Sequence, residues 1–271
     1  MIKNQLSNDF EDATFLQSVG AGVFIAQTHN RFQTGAGPFG GWSLAIALKA
    51  VLMQSDISEP LAINAQFHAP IPVGDVQVRT TITHRGKRSE NWRVELGPPN
   101  ATCLTVLIFS THRRPEFSDQ ELTMPLVNSP EDLPSLDPES FKGAWVSAFD
   151  LRHAEGALLM SGASSSSVVW TRFNDDASLN YPRLATLCDT AIARIYYRLE
   201  RRVPIATVGF SAHFHAGIET LREVGNDFVL VVARARGFSG GFHDQTLAIF
   251  SRSGQLLATS EQSVWYKTSN I

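Results

Sequence analysis

The sequence predicts an α+β fold of two tandem repeats, each with a long helix wrapped by an antiparallel sheet. The predicted order of elements, one strand, one helix and four strands, occurs twice along the 271 residues. An eight-residue segment also recurs: residues 64–71 read NAQFHAPI and residues 211–218 read SAHFHAGI. The first helix is apolar on nearly every side, which indicates that other structure surrounds it.

The first repeat begins after a polar leader. Residues 22–28 (GVFIAQT) predict a short strand, and residues 35–41 (GAGPFGG) predict a loop that opens a helix. The helix is predicted over residues 42–54, where only Ser43, Lys49 and Gln54 are polar. Because no helix separates the strands that follow, they favour an antiparallel meander. These strands are predicted at residues 62–69, 76–83, 92–96 and 102–111.

The two repeats are separated by a segment of different composition. Residues 113–140 hold five of the 13 prolines, among acidic residues and serines. Such a composition is typical of a linker that runs over the surface. The sequence therefore predicts an N-terminal repeat over residues 1–112, a Pro-rich linker over residues 113–140 and a C-terminal repeat over residues 141–271.

The second repeat contains the most informative helix of the chain. Residues 181–202 (YPRLATLCDTAIARIYYRLERR) carry an apolar stripe at three- and four-residue spacing, which predicts one long amphipathic helix. Asp189 lies beside this stripe, and no basic residue stands three or four positions away. Such a carboxylate is either solvated at the edge of the stripe or retained for chemistry. Strands are predicted at residues 167–173, 207–215, 228–234, 245–251 and 256–266.

Composition excludes several classes of protein. The net charge of −3 gives no electrostatic basis for binding nucleic acid or an anionic membrane. The first 15 residues lack the pattern of a signal peptide, and the apolar run at residues 42–53 is too short to span a membrane. Cys103 and Cys188 lie far apart, so neither a disulfide framework nor a thiolate metal site is indicated. We expect a soluble, cytoplasmic protein with no cofactor, and the sequence leaves homo-oligomerisation open.

The glycines before the first helix match a dinucleotide-binding motif in residue type and spacing, but not in structural context. Gly35, Gly37 and Gly40 satisfy G-x-G-x-x-G before a helix. The preceding residues 29–34 are polar rather than a buried strand, and no parallel crossover follows. We therefore predict a flexible loop whose amides cap the helix.

Two further motifs have simpler structural interpretations. Residues 237–241 (GFSGG) match G-x-S-x-G, but a strand rather than a helix follows, which predicts a hairpin turn instead of a nucleophile elbow. His213 and His215 lie on one predicted strand face, where two imidazoles could bind a metal. His68 and His215 recur together in the repeat, however, which favours a structural role and no metal site.

The residues also resemble a known family, the type II acyl-CoA thioesterases and their thioesterase-like relatives, which are built as a double hotdog. Phe39-Gly40-Gly41 before an apolar helix is similar to the helix start of that family. In the second repeat, Asp189 matches its helical aspartate, Thr207 its threonine after Ile-Ala, and Gln262 its glutamine in the last strand. The chain departs from the pattern after Thr207, where the family has Asp-His and this sequence has Val-Gly.

The resemblance implies an acyl-CoA thioesterase, which hydrolyses a fatty or other acyl-CoA to free acid and CoA. Asp189, Thr207 and Gln262 would hold the attacking water as catalytic residues. The backbone at Gly40 and Gly41 would bind the substrate by stabilising the oxyanion. Two alternatives share the fold: a non-catalytic acyl-binding protein, and an enoyl-CoA hydratase-like enzyme, which would need a histidine beside the carboxylate.

Overall fold

The computed structural model describes residues 9–57, 59–138, 141, 143–160 and 162–268. The first eight residues of the predicted leader, and residues 139, 140 and 142 near the end of the predicted linker, lie outside the described residues. The helices are α1 (Asp9–Ala13), α2 (Gly40–Leu52), α3 (Tyr181–Leu187) and α4 (Ile218–Val224). The strands are β1 (Gln17–Gly20), β2 (Val23–Gln27), β3 (Pro60–Phe67), β4 (Asp75–Arg85), β5 (Ser89–Gly97), β6 (Leu104–Thr111), β7 (Phe149–Glu155), β8 (Ser167–Phe173), β9 (Ile205–Phe214), β10 (Val229–Arg234), β11 (Phe238–Ser239), β12 (Phe242–Ser251) and β13 (Leu256–Tyr266).

The described strands form one 13-stranded antiparallel sheet that runs through both halves of the molecule. Its order is β1-β2-β4-β5-β6-β3-β9-β13-β12-β10-β8-β7, with β11 paired to β12. The halves join where β3 pairs with β9, with Ala62 opposite His213 and Gln66 opposite Gly209. The sheets of the two halves therefore meet edge to edge. The pairing also places the start of β9 at the boundary between the halves.

The first half follows the sequence prediction closely. Helix α2 packs against β4, β5 and β6, and its residues from Gly41 to Leu48 are buried without interruption. The indole N–H of Trp42 donates to the carbonyl of Ala13 at 2.6 Å, which attaches α1 to α2. The expectation that α2 is surrounded by other structure is confirmed. Helix α1 and strand β1 lie in the polar leader, where no element was predicted.

The second half departs from the prediction, because residues 181–202 do not form one helix. Helix α3 ends at Leu187, whose carbonyl accepts a hydrogen bond from the Thr190 hydroxyl at 2.8 Å. The chain then turns and resumes as a short 3-10 helix, Arg194–Tyr197. The fully buried Arg194 side chain donates to the carbonyls of Ser165 and Ala233, which draws the segment toward β8 and β10. The apolar residues of this segment do recur at helical spacing, but that spacing does not require one continuous helix.

The repeated segment makes the same hydrogen bonds in both halves. His68 Nε2 lies 3.0 Å from Thr105 Oγ1, and His215 Nε2 lies 3.1 Å from Thr259 Oγ1. The backbone N–H of each histidine also donates to the strand alongside, to the carbonyl of Cys103 for His68 and to that of Leu257 for His215. The two phenylalanines before these histidines differ, because Phe214 is fully buried and Phe67 is only partly buried.

The Pro-rich segment lies along the outer face of the second half. Met124, Val127 and Leu133 pack against a small apolar cluster on that face. The carbonyl of Asn128 accepts a hydrogen bond from the Trp170 indole, and Arg152 donates to the carbonyl of Pro130. The cluster consists of Val168, Trp170, Phe228, Leu230, Ala248 and Phe250.

Among the described helices, none is long and apolar enough to cross a membrane.

Candidate active site

Asp189 lies just beyond the end of α3, where the chain leaves the helix and meets the start of α2. Its backbone N–H still donates to the carbonyl of Thr186, but its side chain reaches across to Gly40 and Gly41. Helices α2 and α3 pack together at this point, with the Thr186 hydroxyl 3.2 Å from the carbonyl of Gly41. The carboxylate therefore belongs to the boundary between the halves rather than to a solvated helix face.

The electrostatic environment of Asp189 is unusual for a carboxylate. Burial raises its pKa to about 7, although hydrogen bonds from the Gly41 N–H and the Gln262 amide lower it. A group that titrates near neutral pH is suited to accept and return a proton. The neighbouring Cys188 thiol is also buried, and burial together with the Asp189 charge raises its pKa. Cys188 is therefore protonated and unsuited to act as a nucleophile.

Gln262 is the direct partner of Asp189. Its Nε2 donates to Asp189 Oδ1 at 2.9 Å. Gln262 is 4% exposed and lies in β13 on the inner face, between Ser260 and Val264, whereas Glu261 points outward. Buried and exposed residues alternate along this part of β13. The glutamine thus projects from the sheet toward the end of α3.

Thr207 reaches the same group through a bulge in β9. Its hydroxyl lies 3.3 Å from Gln262 Oε1 and donates to it, so Thr207, Gln262 and Asp189 form one hydrogen-bonded series. Along β9 and β13, Ser263 pairs with Gly209 but Val264 pairs with Thr207, so Val208 is an extra residue. Strand alternation alone would put Thr207 on the outer face with Ser211, and the bulge reverses this. The bulge is not predicted by the residue pattern of β9.

Gly40 and Gly41 form the part of α2 that faces the carboxylate. A Cβ atom at Gly40 would lie 2.6 Å from Asp189 Oδ2, so only glycine allows this approach. A Cβ atom at Gly41 would lie 2.7 Å from the Thr186 carbonyl oxygen and 2.6 Å from the Phe39 ring. The first N–H groups of a helix lack intrahelical acceptors, and the N–H of Gly41 is directed to Asp189.

Two residues around the site, Gln245 and Trp145, were not predicted from the sequence. The Gln245 side chain, opposite Gln262 in β12, donates to the carbonyl of Ala191 at 2.9 Å and so holds the chain just after Asp189. The Trp145 ring stacks on Phe39 at 4.5 Å and fixes the start of α2. Gln245 could have been found from its alternation with Leu247, but the Trp145 contact depends on distant segments.

The other candidate motifs have structural roles. Residues 237–241 form the predicted hairpin: Ser239 pairs with Phe242, and Gly240 and Gly241 both have positive φ. His213 in β9 and His215 just after the end of that strand are both exposed. In the part of the chain that the structure describes, no group of three or more side chains is arranged to hold a metal ion.

Comparison with protein families identifies the group to which these features belong. Residues 28–111 match the acyl-CoA thioesterase N-terminal domain, and residues 130–266 match the acyl-CoA thioesterase C-terminal domain. The chain belongs to the acyl-CoA thioesterase family. Gly40 and Gly41 fall in the first matched region, and Asp189, Thr207 and Gln262 fall in the second. No curated protein matches the chain.

Several solved structures are similar to this chain and share its hotdog fold. A conserved protein of unknown function with hotdog fold from Alicyclobacillus acidocaldarius is 31% identical, with a TM-score of 0.93 over 98% of this chain and 100% of that chain. An acyl-CoA thioesterase II from Mycobacterium marinum is 19% identical, with a TM-score of 0.75 over 96% and 99%. A tesB protein from Mycobacterium avium subspecies paratuberculosis is 17% identical, with a TM-score of 0.78 over 96% and 98%.

Proposed function

We propose that this protein hydrolyses an acyl-CoA thioester to free acid and CoA by means of a water activated at Asp189. The observation that carries the proposal is the hydrogen-bonded series of Thr207, Gln262 and Asp189, which ends in a carboxylate with a pKa of about 7. Membership of the acyl-CoA thioesterase family supports the substrate class. The substrate itself is a small molecule, and the proposed reaction uses no cofactor.

The chemistry follows from the two oxygens of the carboxylate. Gln262 holds Asp189 Oδ1, and Oδ2 lies beside Gly40, where a water can donate to it. As the water oxygen attacks the thioester carbon, one of its protons passes to Asp189, and the carbonyl oxygen becomes an oxyanion. The tetrahedral intermediate then collapses, the carbon–sulfur bond breaks, and the CoA sulfur takes the proton from Asp189.

The start of α2 is the proposed site of oxyanion stabilisation. Helix N-termini carry about half a positive charge, and donors that are already oriented stabilise charge as it develops. Because the N–H of Gly41 is directed to Asp189, we assign the oxyanion chiefly to the N–H of Gly40. Thr207 orients the Gln262 amide and thereby the water. It acts as a positioning residue in this scheme.

We also propose that the chain is a double hotdog with repeats at residues 1–112 and 141–271 and a linker at residues 113–140. The matching hydrogen bonds of His68 and His215 and the pairing of β3 with β9 support a duplicated unit. In this arrangement the second repeat carries the catalytic residues. Superposition of the two halves should bring the two histidines together, and failure to do so would remove the basis for the duplication.

The two alternative functions make different chemical demands. A hydratase-like enzyme would need a histidine beside the carboxylate, and the described hydrogen bonds of Asp189 come from Gln262 and Gly41. A non-catalytic acyl-binding protein would have no need for a carboxylate with a pKa of about 7 at the boundary between the halves. These observations favour hydrolysis over both.

Thiol release measured with a dye reagent tests the proposal directly. The wild type should release CoA from acyl-CoA esters, and Asp189→Asn should lower turnover by roughly 10²- to 10⁴-fold, as expected for loss of a general base. Glu261→Gln is a matched control, because Glu261 is the adjacent strand carboxylate and points outward. Equal rates for Asp189→Asn and the control would refute the role of Asp189, and hydration of an enoyl ester without thiol release would favour the hydratase.

Thermal unfolding should be measured to establish that Asp189→Asn is folded. The raised pKa means that native Asp189 keeps its proton up to about pH 7, whereas an unfolded aspartate loses it near its ordinary value. Wild-type stability therefore decreases as pH rises between these two values. The asparagine variant should be more stable than the wild type above pH 7, and the difference should disappear in acid.

A further inference from the structure

A narrow cavity lies directly behind the proposed catalytic carboxylate, inside the second half. Thr190 and Ala191, the residues that follow Asp189, form one wall. Leu151, Val169 and Val231 form an apolar floor. The cavity is also lined by polar side chains, which are those of His153, Ser167, Thr171, Arg194 and Tyr197. An acyl group whose thioester is held at Asp189 would extend into this cavity.

Arg194 is the unusual residue of the cavity, because it is a fully buried cation with no carboxylate partner among the described residues. Its guanidinium donates to the carbonyls of Ile192, Ser165 and Ala233 and to the Ser167 hydroxyl, and it lies 4.3 Å from the centre of the Tyr197 ring. These contacts satisfy hydrogen bonds and partly stabilise the charge, but none of them supplies a negative charge that neutralises it. Burying such a charge is costly.

A second fully buried arginine shows how this chain treats a cation that serves only the structure. Arg183 is also 0% exposed, and its two terminal nitrogens each donate to Asp175 at 2.8 Å. The Arg183 charge is therefore neutralised by a bidentate carboxylate pair. The contrast suggests that the Arg194 charge is kept for a carboxylate that the chain does not supply.

The neighbours of Arg194 can complete such a site. His153 Nε2 lies within hydrogen-bond distance, 3.1 Å, of the Tyr197 hydroxyl, and both residues line the cavity together with Arg194. Burial and the Arg194 charge lower the pKa of His153 to about 4. The imidazole is thus neutral at pH 7 and can hydrogen-bond without adding a second charge.

We propose that the preferred substrate is the CoA thioester of a short dicarboxylic acid, whose free carboxylate pairs with Arg194. This inference rests on the proposed thioesterase function. A carboxylate placed against a buried guanidinium gains a charge-assisted hydrogen bond and neutralises the charge. The cavity has a volume of about 10 Å³ without ligand, so side chains must move when an acyl group enters, and a short chain requires the least movement.

Matched pairs of substrates test this selectivity. The ratio of kcat/KM for glutaryl-CoA over pentanoyl-CoA, and for adipoyl-CoA over hexanoyl-CoA, compares chains that differ by one terminal carboxylate. The wild type should favour the dicarboxylic ester by at least about tenfold, the effect of one hydrogen bond to a charged group. Arg194→Gln should abolish the preference, and Arg194→Lys, which keeps the charge, should retain part of it.

Two further variants separate recognition from folding. Arg183→Gln removes an equally buried arginine and should lower stability without changing the substrate ratio. Tyr197→Phe removes only one hydroxyl from the cavity and should reduce the substrate ratio. This variant therefore tests the proposal if Arg194→Gln fails to fold. The proposal would be overturned if the wild type hydrolysed the monocarboxylic esters equally well or better. It would also be overturned if the ratio were unchanged in folded Arg194 and Tyr197 variants.

Failure of the thioesterase function itself would be recognised separately. A wild type that releases CoA from none of the esters would refute the proposed function. The shift in thermal unfolding temperature with free adipate or free hexanoate would then show whether the cavity binds a second carboxylate. Stabilisation by adipate alone that is lost in Arg194→Gln would support the carboxylate site, and equal or absent shifts would refute it.

Discussion

At the residue scale, the properties of Asp189 result from opposing effects on one carboxylate. Burial favours the protonated form, and the donors Gln262 and Gly41 favour the charged form. Burial is the larger effect, so the pKa rises to about 7 rather than falling. A weaker base at this position would accept a proton from water less readily, and a stronger one would be protonated at neutral pH.

The raised pKa predicts a pH dependence for hydrolysis. Because the base must be ionised, kcat/KM should rise with pH, pass through half its maximum near pH 7 and level off above it. Gln262→Ala removes a donor that lowers the pKa, so the midpoint should move to higher pH. Thr207→Ala serves as the control, because Thr207 contacts the amide rather than the carboxylate. A flat profile between pH 5 and pH 9 would contradict the assignment of Asp189 as the base.

The hydrogen-bonded series predicts that its three members act as a unit. If Asp189, Gln262 and Thr207 hold one water, removing any one of them misplaces it, and a second removal costs little more. A mutant cycle with Asp189→Asn, Gln262→Ala and the double variant, repeated with Thr207→Ala, measures this coupling on thioester hydrolysis. Double-variant losses equal to the product of the single losses would mean independent roles.

At the element scale, two interruptions of regular structure create the site. Helix α3 stops at Leu187, which releases Asp189 toward α2, and the Val208 bulge turns Thr207 to the inner face of β9. An uninterrupted helix and an unbulged strand would place these side chains differently. Local irregularities of this kind are common beside functional sites.

Gly40 provides a test of the close approach between α2 and Asp189. Gly40→Ala introduces a Cβ atom 2.6 Å from Asp189 Oδ2, so the carboxylate must move. Activity should then fall by about tenfold or more, which is the order of loss caused by a misplaced catalytic group. Gly35→Ala is the matched control in the same loop, because its Cβ atom would meet nothing within 4 Å. Hydrolysis rates and thermal unfolding should both be measured. Equal activity of the two folded variants would show that the approach is unimportant.

At the scale of the whole molecule, the two halves have different roles. The repeat that aligns Asn64 with Ser211 also aligns Trp42 with Asp189. Trp42 is fully buried, and its indole donates to Ala13. The first half thus has an aromatic anchor where the second has a carboxylate. It contributes Gly40 and Gly41 to the site rather than a site of its own.

This asymmetry predicts one active site per chain. Titration with a tight, non-hydrolysable acyl-CoA analogue, followed by calorimetry, should give a stoichiometry of one. Asp189→Asn should retain that stoichiometry, because asparagine is similar in size and removes only the charge. Two equivalent sites per chain would contradict the prediction.

The sequence by itself determined the features that depend on local pattern. Residue alternation gave the strands β3 to β6 and β8 to β13 apart from the short β11, and all-round apolarity gave the buried α2. The strand and buried-helix predictions are confirmed because side-chain periodicity follows directly from backbone geometry. The resemblance of three polar residues to a family pattern selected Asp189, Thr207 and Gln262, which the fold brings into hydrogen-bonding contact. Their catalytic roles stay predictions.

Only the tertiary structure decided where the predicted long helix ends and which way Thr207 points. Both depend on partners distant in sequence: Arg194 donates to Ser167 of β8 and Ala233 of β10, and the register of β13 creates the bulge in β9. The pKa of Asp189 also depends on burial between the halves, which no spacing in the sequence encodes. Periodicity specifies which face of an element is apolar, but contacts between elements decide where that element is interrupted.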